Sequence, residues 1–239
     1  MYRDLSVKVQ LNSKSSNNKP SISNGFTNTI TDSNTGLTVI EKFVPINRGL
    51  NEISILSKLN QSKFNGFPVM LGYEIIGNYM KITCQYIKGK TLKQWLEVEK
   101  DKYKLINAFD RVFENATRTL FALHDAGVLH LDIKPENIII DDSFQVYLID
   151  FSLSTTYEER HHIKETTGTF QYLPPEMMLE LQRIDCESDF YSLGKSLLEI
   201  IQKNERRVTD AHLRSLLKLC QIDPNKRKNN MKDLRKTLA

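Results

Sequence analysis

The stretch His130-Leu131-Asp132-Ile133-Lys134-Pro135-Glu136-Asn137, followed by Asp150-Phe151-Ser152, decides the fold of this chain. Two short apolar runs lie between these motifs, and Asp141-Asp142-Ser143 separates the runs as a turn. This pattern predicts a small β-hairpin. The hairpin would carry Asn137 before its first strand and Asp150 at its far end, so both side chains would meet at one corner. An amide oxygen and a carboxylate are hard ligands of the kind that Mg²⁺ takes, usually with phosphate oxygens and water.

Two further polar residues lie on the loop that enters this hairpin. Asp132 is placed to accept a proton from a hydroxyl, and Lys134 is placed to hold a phosphoryl oxygen. The ordered set resembles the catalytic loop and metal motif of protein kinases, with His130–Asn137 for H-R-D-x-K-x-x-N and Asp150–Ser152 for D-F-G. A buried polar turn without chemistry is the alternative, and the ordered set of four polar positions argues against it.

The resemblance covers residues 22–239 and implies an α+β, two-lobed protein-kinase-like fold. A small β-rich N-lobe with helix C would take about residues 1–86, and a larger helical C-lobe about residues 91–239. The length of 239 residues is near the lower limit for the family, so we expect a single catalytic domain, 1–239. Little more than a turn fits between Lys203 and Ala211, so helix G is expected to be reduced or absent.

Composition places the chain among ordinary globular proteins. Hydrophobic residues make up 40% and charged residues 26% of the sequence. The net charge of +4 suits phosphorylated ligands, but without a clustered basic patch it does not indicate a nucleic-acid partner. No apolar stretch approaches the roughly 20 residues of a membrane span, and the first residues lack the apolar segment of a signal peptide. The oligomeric state is not indicated.

The three cysteines, Cys84, Cys186 and Cys220, are far apart, odd in number and without a C-x-x-C pair. They indicate neither a zinc site nor a disulfide framework. This cysteine usage favours a reducing, intracellular setting. The expected location is the cytoplasm or the nucleus, or the host cytoplasm for an exported or viral protein.

The N-terminal part has strand patterns but no glycine-rich phosphate loop. Alternation over 5–11 predicts a half-buried strand. Residues 26–31 and 37–44, joined by the turn residues 32–36, predict two more strands, and the Ser/Asn-rich segment 12–24 predicts a mobile loop. A G-x-G-x-x-G motif is absent from the sequence. Either residues 22–27 or the whole Ser/Asn-rich segment would take its place, and the sequence leaves both alternatives open.

Lys42 resembles the third-strand lysine of V-A-I-K, which pairs with ATP phosphates and with the glutamate of helix C. Glu52 lies beside an apolar stripe at helical spacing and matches that glutamate. The interval between them is short for the family, so a small helix before helix C is expected to be missing. Ile40 stands where the family usually has alanine over the adenine, and its bulk would press on the nucleotide or fill its place.

Residues 85–92 resemble the hinge between kinase lobes. Cys84 would then be the gatekeeper, and backbone groups of Gln85 and Ile87 would hydrogen-bond the adenine edge. Ile139 completes the nucleotide-binding set that the resemblance implies. A plain strand end and turn is the alternative for this segment. ATP and Mg²⁺ are the cofactors that the resemblance implies.

Residues 152–174 resemble the activation segment. The run Gly168-Thr169-Phe170-Gln171-Tyr172-Leu173-Pro174-Pro175-Glu176 looks like G-T-x-x-Y-x-A-P-E, with Pro174 replacing the alanine. Thr169 is expected to contact Asp132 and Lys134, a pattern that is typical of Ser/Thr kinases.

Leu131 replaces the arginine that usually grips an activation-loop phosphate in this family. Glu165 sits where the primary phosphothreonine often is, and Thr166 and Thr167 follow it in the segment. Without the arginine a phosphate would gain little there. We therefore hypothesise a kinase of the non-RD type, which is competent without activation-loop phosphorylation.

Four polar residues are expected to have structural roles. The resemblance implies that His130 braces the catalytic loop, that Asp189 holds the backbone of that loop, and that Arg227 pairs with Glu176. The apolar stripe from 105 to 126 predicts one long helix that packs into the core.

The resemblance implies phosphoryl transfer from ATP to Ser/Thr hydroxyls of protein substrates. Asp132 would orient and deprotonate the hydroxyl, Lys134 would offset phosphoryl charge, and Asn137 and Asp150 would hold the metal. A pseudokinase that acts as a binding or allosteric module is the alternative, because the glycines are missing and Ser152 replaces a glycine. A small-molecule kinase is disfavoured by the peptide-platform run that ends at Glu176.

Overall fold

The computed structural model of the chain describes residues 26–32, 36–179, 181–203 and 209–238. The predicted strand at 5–11, the predicted loop at 12–24 and residues 22–25 of the shorter phosphate-loop candidate lie outside the described residues. The chain divides into two compact units. The first comprises the described residues up to Lys63 together with Pro68–Ile87, and the second comprises Phe64–Phe67 and the described residues from Lys88 onward.

The first unit is built on a four-stranded antiparallel sheet with strand order β1-β2-β4-β3. Its strands are β1 (Phe26–Thr31), β2 (Thr38–Pro45), β3 (Met70–Ile76) and β4 (Tyr79–Gln85). The register between β2 and β4 pairs Lys42 with Ile82 and Ile40 with Cys84. The β-rich N-terminal region that the resemblance implied is therefore present.

Helix α1 (Ile46–Leu59) follows β2 without an intervening residue. Its buried face includes Ile55, Leu56 and Leu59, which recur at helical spacing and pack in the core of this unit. At Gly49 the helix lies so close to the sheet that an added Cβ would stand 2.6 Å from Cβ of Met80. The short interval between Lys42 and Glu52 thus leaves no room for another helix.

The second unit is mostly helical, as the resemblance implied. Its α-helices are α2 (Leu92–Glu97), α3 (Glu99–Asn107), α4 (Phe109–Asp125), α5 (Pro175–Leu179), α6 (Cys186–Gln202), α7 (Asp210–Leu219) and α8 (Pro224–Leu238). Helix α6 begins at a capping box in which Asp185 and Ser188 bond each other's backbone N–H groups. Residues 204–208 lie outside the described residues, so the expected loss of helix G stays a prediction.

The prediction of one long helix from 105 to 126 was wrong. The chain leaves the helical conformation at Ala108 (φ −104°, ψ 15°). Leu105 and Ile106 on α3 and Phe109 and Val112 on α4 are all buried. Since both helices bury their apolar side chains, the hydrophobic periodicity continues across the break and conceals it.

The predicted hairpin is confirmed as β7 (Ile138–Ile140) paired antiparallel with β8 (Val146–Leu148). Strand β5 (Lys90–Thr91) adds to β7, and β6 (Val128–Leu129) pairs separately with β9 (Thr155–Thr156). Short 3₁₀ turns lie at Pro135–Asn137, Arg160–His162, Phe170–Tyr172 and Leu181–Arg183. Among the described helices, none has the length and apolar character that crossing a membrane requires.

The segment Phe64–Phe67 packs with the second unit although it precedes β3 in sequence. The backbone N–H of Leu148 donates to the carbonyl of Gly66 at 3.0 Å. The ring of Phe67 meets that of Phe151 edge-on, with centroids 6.1 Å apart. These contacts attach the segment to the hairpin and hold Phe151 fully buried.

Candidate active site

The hairpin brings the backbones of Asn137 and Asp150 together. The N–H of Ile149, next to Asp150, donates to the carbonyl of Asn137 at 3.0 Å. Asp150 adopts a left-handed backbone conformation (φ 66°), which is uncommon for a residue other than glycine and often marks a functional site. The backbone of the predicted corner is therefore formed, and the meeting of the two side chains there stays a prediction.

The amide of Asn137 is oriented by Asp132. Its Nδ2 donates to the backbone carbonyl of Asp132 at 2.9 Å and to Oδ2 of the same residue at 3.2 Å. Because these bonds use the nitrogen, Oδ1 is the amide atom of Asn137 that is suited to a cation. The side chain is almost fully buried, so this orientation is fixed by its surroundings.

The carboxylate of Asp132 is the centre of a small polar network. Its Oδ1 accepts a hydrogen bond from Oγ1 of Thr169 at 2.9 Å, and its Oδ2 accepts one from Nζ of Lys134 at 2.7 Å. Nζ of Lys134 also donates to Oγ1 of Thr169 at 2.9 Å. The structure thus brings together the three residues for which the sequence analysis expected a contact.

Gly168 allows Thr169 to approach this closely. Its backbone has φ +100°, which side-chain-bearing residues rarely adopt. An added Cβ would lie 2.6 Å from the carbonyl oxygen of Leu131 and 2.8 Å from Cδ2 of Leu173. Both the conformation and the space therefore require glycine at this position.

One oxygen of Asp150 is engaged by the residue that replaces the expected glycine. The Oγ of Ser152 donates to Oδ1 of Asp150 at 2.7 Å, and the backbone N–H of Ser152 points to the same oxygen at 3.3 Å. A carboxylate has about four acceptor positions, so this contact leaves it able to bind a cation. Asp150 and Asn137 together fit a divalent metal with hard oxygen ligands. The described residues contain no cluster of three or more His, Cys, Asp or Glu side chains arranged as a metal site.

Asp189 on α6 holds the backbone of the catalytic loop. Its carboxylate accepts hydrogen bonds at 2.8 Å from the N–H groups of His130 and Leu131, and it meets Nε2 of His124 at 2.9 Å. Burial would raise the pKa of Asp189, but the hydrogen bond and charge of His124, together with the interactions with His130, outweigh it and hold the pKa below its ordinary value. The carboxylate is therefore ionised.

His130 is fully buried and neutral, because burial lowers its pKa. Its Nε2 donates to the carbonyl of Ile149 at 3.1 Å, while the N–H of Asp132 points to Nδ1 at 3.4 Å. Its ring centroid lies 5.0 Å from that of Phe151. The imidazole therefore connects the catalytic loop to the strand that ends at Asp150, a bracing position.

Leu131, at the position of the family's arginine, faces away from solvent. It has a left-handed backbone (φ 64°) and is 3% exposed. Its side chain belongs to an apolar cluster, which we call the Leu131 cluster, formed with Leu129, Leu173, Met177 and Ile184 and flanked by Tyr157, Ile163, Leu181 and Cys186. Since several of these residues belong to the activation segment, apolar packing attaches that segment to the catalytic loop.

The remaining activation-segment candidates lie apart from the Asp132 network. Glu165 is exposed and Thr167 is half-buried. Oγ1 of Thr166 donates to the carbonyl of Met177 at 3.0 Å, which ties the segment to α5.

Arg227 and Glu176 form a buried ion pair that joins α8 to α5. The Arg227 side chain is fully buried, and it also donates to the carbonyls of Glu187 at 2.9 Å and Ile222 at 3.1 Å. Oγ of Ser188 donates to Glu176 at 2.9 Å. Additional hydrogen bonds of this kind are what a buried ion pair needs to offset its desolvation.

In the first unit, Lys42 and Glu52 form a close ion pair. Nζ of Lys42 lies 2.9 Å from Oε1 and 2.8 Å from Oε2 of Glu52. Glu52 is buried on α1 while Lys42 is partly exposed on β2. The structure therefore brings together the strand lysine and the helix glutamate that the sequence singled out.

The hinge candidates follow at the end of β4. Burial, and after it the charge of Glu52, raises the pKa of the Cys84 thiol to about 12. The N–H of Gln85 donates to the carbonyl of Val69 at 2.9 Å, so its carbonyl is the backbone group suited to an adenine. Ile87 is the last residue of this unit.

Ile139 lies in the second unit, on β7. Gly89 allows the chain to pass close to it, since an added Cβ would meet Cγ2 of Ile139 at 2.7 Å.

Three hydroxyl contacts were not anticipated from the sequence. Ser152 bonds Asp150, Ser188 bonds Glu176, and Oγ of buried Ser154 donates to the carbonyl of His130 at 3.1 Å. Only Ser188 carries a sequence signal, as the N3 residue of a capping box whose N-cap is Asp185. The contact of Ser152 is local, with the aspartate two residues earlier, whereas that of Ser154 is a tertiary contact, and no periodicity indicates either.

A family model described as the protein kinase domain matches residues 38–238. The relatives include the dual specificity protein kinase zak2 of Dictyostelium discoideum, 34% identical over 77% of this chain and 30% of the relative. A probable LRR receptor-like serine/threonine-protein kinase of Arabidopsis thaliana, RPK1, is 29% identical over 65% of this chain and 29% of its own length. A probable serine/threonine-protein kinase of Clostridium acetobutylicum is 33% identical over 52% of this chain and 19% of the relative. The chain thus spans less than a third of each relative.

Proposed function

The chain belongs to the protein kinase family, and from this premise we propose that it transfers a phosphoryl group from ATP to serine or threonine hydroxyls of protein substrates. The observation that carries the proposal is the network around Asp132. In this network the Asp132 carboxylate is held between a lysine and a threonine hydroxyl, and two metal-ligand candidates lie beside it. These are the groups that phosphoryl transfer needs.

Each residue of the network has a distinct proposed role. Asp132 orients the acceptor hydroxyl and takes its proton at a carboxylate oxygen, and Lys134 offsets charge on the phosphoryl oxygens. Thr169 holds both side chains in position. Catalysis of this type consists mostly of positioning and electrostatic stabilisation, so the fixed hydrogen bonds of this network support the assignment.

Asn137 and Asp150 are the proposed ligands of the metal, which we take to be Mg²⁺. When bound, ATP would supply the phosphoryl group, and the metal would neutralise charge on the phosphate oxygens. Asn137 contributes Oδ1 because Asp132 engages its nitrogen, and Asp150 contributes its carboxylate. For the first unit we propose that Lys42, oriented by Glu52, binds phosphate oxygens. Cys84, the carbonyl of Gln85, the N–H of Ile87 and, from the second unit, Ile139 are the proposed adenine contacts.

We further propose that activity does not require activation-loop phosphorylation. The Leu131 cluster supports this proposal, because it attaches the activation segment by burying apolar side chains. A phosphate would instead need a cation at this position, where the chain has Leu131. Glu165, at the position of the usual phosphothreonine, is exposed. The contact of Thr169 with Lys134 supports Ser/Thr specificity, and residues 168–176 are the proposed platform for a protein substrate.

The decisive experiment follows radiolabelled phosphate from ATP into the chain itself and into casein. Wild type is expected to label casein in a Mg²⁺-dependent manner. Asp150→Ala should lose Mg²⁺-dependent nucleotide binding, whereas Asp132→Asn should keep binding and lose turnover by about 100-fold or more, the scale of a lost general base.

Asp142→Asn is the matched control, because Asp142 is an exposed carboxylate at the tip of the same hairpin. It should label casein like wild type. Equal labelling by wild type and Asp150→Ala would refute the proposed metal site.

A pseudokinase is the second candidate, and the hydroxyl of Ser152 on Asp150 favours it. That hydrogen bond competes with a metal for one carboxylate oxygen. The same assay separates the candidates. A wild-type chain that gains no thermal stability from millimolar MgATP and labels nothing acts as a binding module, because a ligand of the folded state must raise its stability.

A further inference from the structure

A groove in the second unit lies between α5 and the turn that joins α7 to α8. It has a volume of about 490 Å³, which falls within the roughly 300–1,000 Å³ of protein binding sites. Its apolar lining includes Leu179 on α5 and Ile222 and Pro224 at the turn. The groove starts at Pro175 and Glu176, where the proposed substrate platform ends. The described residues that line it include none of those proposed to bind nucleotide, metal or the acceptor hydroxyl.

One buried side chain holds the two walls of this groove together. The guanidinium of Arg227 pairs with Glu176 on the α5 side. On the other side it donates to the backbone carbonyls of Gln221 at 2.5 Å and Ile222 at 3.1 Å. Because Arg227 is fully buried, these contacts fix the distance between the walls. A site that is already formed loses less conformational freedom when it binds a partner.

The apolar side chains of the two walls lie mostly in solvent. Leu179 is 80% exposed and Ile222 is 75% exposed. A single exposed leucine is ordinary on a protein surface. Two large aliphatic side chains that line the same groove form an apolar patch, however, and a patch rimmed by polar residues is typical of an interaction site. The groove therefore offers apolar surface that a partner would cover.

The charged residues of the lining favour an anionic partner. Arg183 and Lys226 are both exposed and line the groove. Glu176 is already ion-paired. Asp223 opposes the two cations, but its Oδ1 accepts the N–H of Asn225 at 2.9 Å in the first turn of α8. Lys226 lies in that same turn, where the helix dipole adds positive potential.

We propose that this groove, which we call the α5–α8 groove, is a docking site for a short segment of a partner protein that carries an apolar side chain flanked by aspartate or glutamate. The apolar side chain is buried between Leu179 and Ile222, and the acidic side chains pair with Arg183 and Lys226. This arrangement has the apolar centre and polar rim of a protein interface.

The exposure of the walls favours a peptide over a small molecule as the occupant. Binding sites for small molecules enclose most of the ligand surface, whereas Leu179 and Ile222 stand largely in solvent. Docking at this groove is a binding property, so it is tested without any requirement for phosphoryl transfer. A failure of the proposed enzymatic activity would leave this test intact.

The test selects peptides from a random-peptide display library on the full, immobilised chain and measures the affinity of each selected peptide by fluorescence polarisation. The selected peptides are expected to carry an apolar residue next to acidic ones. Ile222→Asn and Leu179→Asn should each weaken their binding by about tenfold or more, as for a central interface residue. Both side chains are exposed, so neither variant should unfold the chain. A selection without peptides that depend on these two residues would overturn the proposal.

Charge reversal tests the acidic preference directly. Arg183→Glu combined with Lys226→Glu should weaken the acidic peptides by about tenfold or more and should strengthen matched peptides with lysine in place of glutamate. Should the double variant fail to fold, Lys226→Glu decides alone, because an acidic residue is favourable in the first turn of a helix. Peptides that bind the reversed groove as tightly as wild type would contradict the assigned cations.

Val98→Asn and Lys100→Glu are the matched controls. Val98 is 51% exposed and Lys100 is also exposed, and both lie outside the groove lining. Each should bind the selected peptides like wild type, and losses equal to those of the groove variants would refute the assignment. Analytical ultracentrifugation of wild type and Ile222→Asn tests a second copy of the chain as the occupant. A wild-type dimer that Ile222→Asn dissociates would assign the groove to self-association and would likewise overturn the proposal.

Discussion

Ser152 donates to Asp150 in the same manner in which Ser143 donates to Asp141 at the hairpin tip. Both Oγ atoms lie 2.7 Å from Oδ1 of the aspartate two residues earlier. At the tip this contact forms a turn. At Asp150 the same hydrogen bond occupies an oxygen of a proposed metal ligand, so Ser152 is expected to weaken metal binding.

Ser152→Gly should therefore tighten the binding of Mg²⁺ in the presence of nucleotide. A hydrogen bond to a charged group contributes about 1.5–3 kcal/mol. In wild type, metal binding loses part of this free energy, and in the variant it does not. We therefore expect the affinity for Mg²⁺ to increase by about threefold to tenfold. The measurement is a Mg²⁺ titration followed by thermal stability at fixed ATP. Ser143→Gly is the matched control, and an equal gain in both variants would contradict the competition.

The ion pair of His124 and Asp189 predicts a loss of stability at alkaline pH. The folded-state pKa of His124, about 9, lies above the ordinary value of about 6.5. The contribution is therefore complete below pH 6.5 and is lost as pH rises through 9. From the difference between these two pKa values we expect a decrease of about 3 kcal/mol in the free energy of unfolding between pH 6.5 and 9.5.

Urea unfolding at both pH values measures this decrease. His130 acts weakly and in the opposite direction in this window, because its folded-state pKa is lowered and only the end of its unfolded-state titration lies above pH 6.5. His124→Gln should show only a small pH dependence over the same range. A variant that loses as much stability as wild type would assign the effect to other groups.

The placement of single residues was predictable where a motif fixes several positions at once. Asn137 and Asp150 were expected to meet because a hairpin has a fixed geometry. The hydrogen bond between His124 and Asp189 joins residues that are far apart in the sequence, and it depends on how α4 packs against α6. Local sequence patterns do not contain that information.

At the scale of elements, the Leu131 cluster attaches the activation segment to the catalytic loop. Leu131→Ala should lower the free energy of unfolding by about 2–5 kcal/mol, because it leaves a cavity among Leu129, Leu173 and Met177. Leu131→Arg should cost at least as much, since it buries a cation where the cluster offers only apolar side chains. Chemical denaturation with calorimetry measures both.

Leu217→Ala is the control for these variants, because Leu217 is 48% exposed and its truncation should change stability by less than about 0.5 kcal/mol. Glu165→Ala, at an exposed position, should keep at least about half of the casein-labelling rate if apolar packing holds the segment. A Leu131→Arg protein as stable as wild type would show that the cluster accepts a cation and would remove the physical basis for phosphate-independent activity.

Elements were predicted well where their periodicity differs from that of their neighbours. The strands β1 and β2 and the hairpin β7–β8 each adjoin clear turn residues. The break between α3 and α4 was missed because an apolar stripe passes through Ala108 unchanged. Boundaries of this kind depend on packing rather than on composition.

At the scale of the whole molecule, nucleotide binding and stability are linked. At MgATP concentrations of 100 times Kd, a ligand of the folded state stabilises it by about 2.7 kcal/mol. For a chain of this length that corresponds to a rise in Tm of about 5–10 °C. Differential scanning fluorimetry with and without MgATP measures the rise.

Lys42→Met in the first unit and Asp150→Ala in the second are each expected to reduce this rise to below about 2 °C. Asp142→Asn should retain it. An unchanged rise in Lys42→Met would mean that the first unit contributes nothing through this lysine, and the assignment based on V-A-I-K would fail.

The direct junction of β2 with α1 has a consequence for how this protein is controlled. Pro45 ends the strand and Ile46 begins the helix, while Gly49 allows the helix to lie directly on Met80. Without a linker the helix has no pivot, so Glu52 cannot swing away from Lys42 unless the sheet deforms with it. Inhibitors that work by wedging such a helix outward would have to break sheet and packing together. Compounds of that kind should bind poorly to this protein, and selective ligands are better sought against other parts of it.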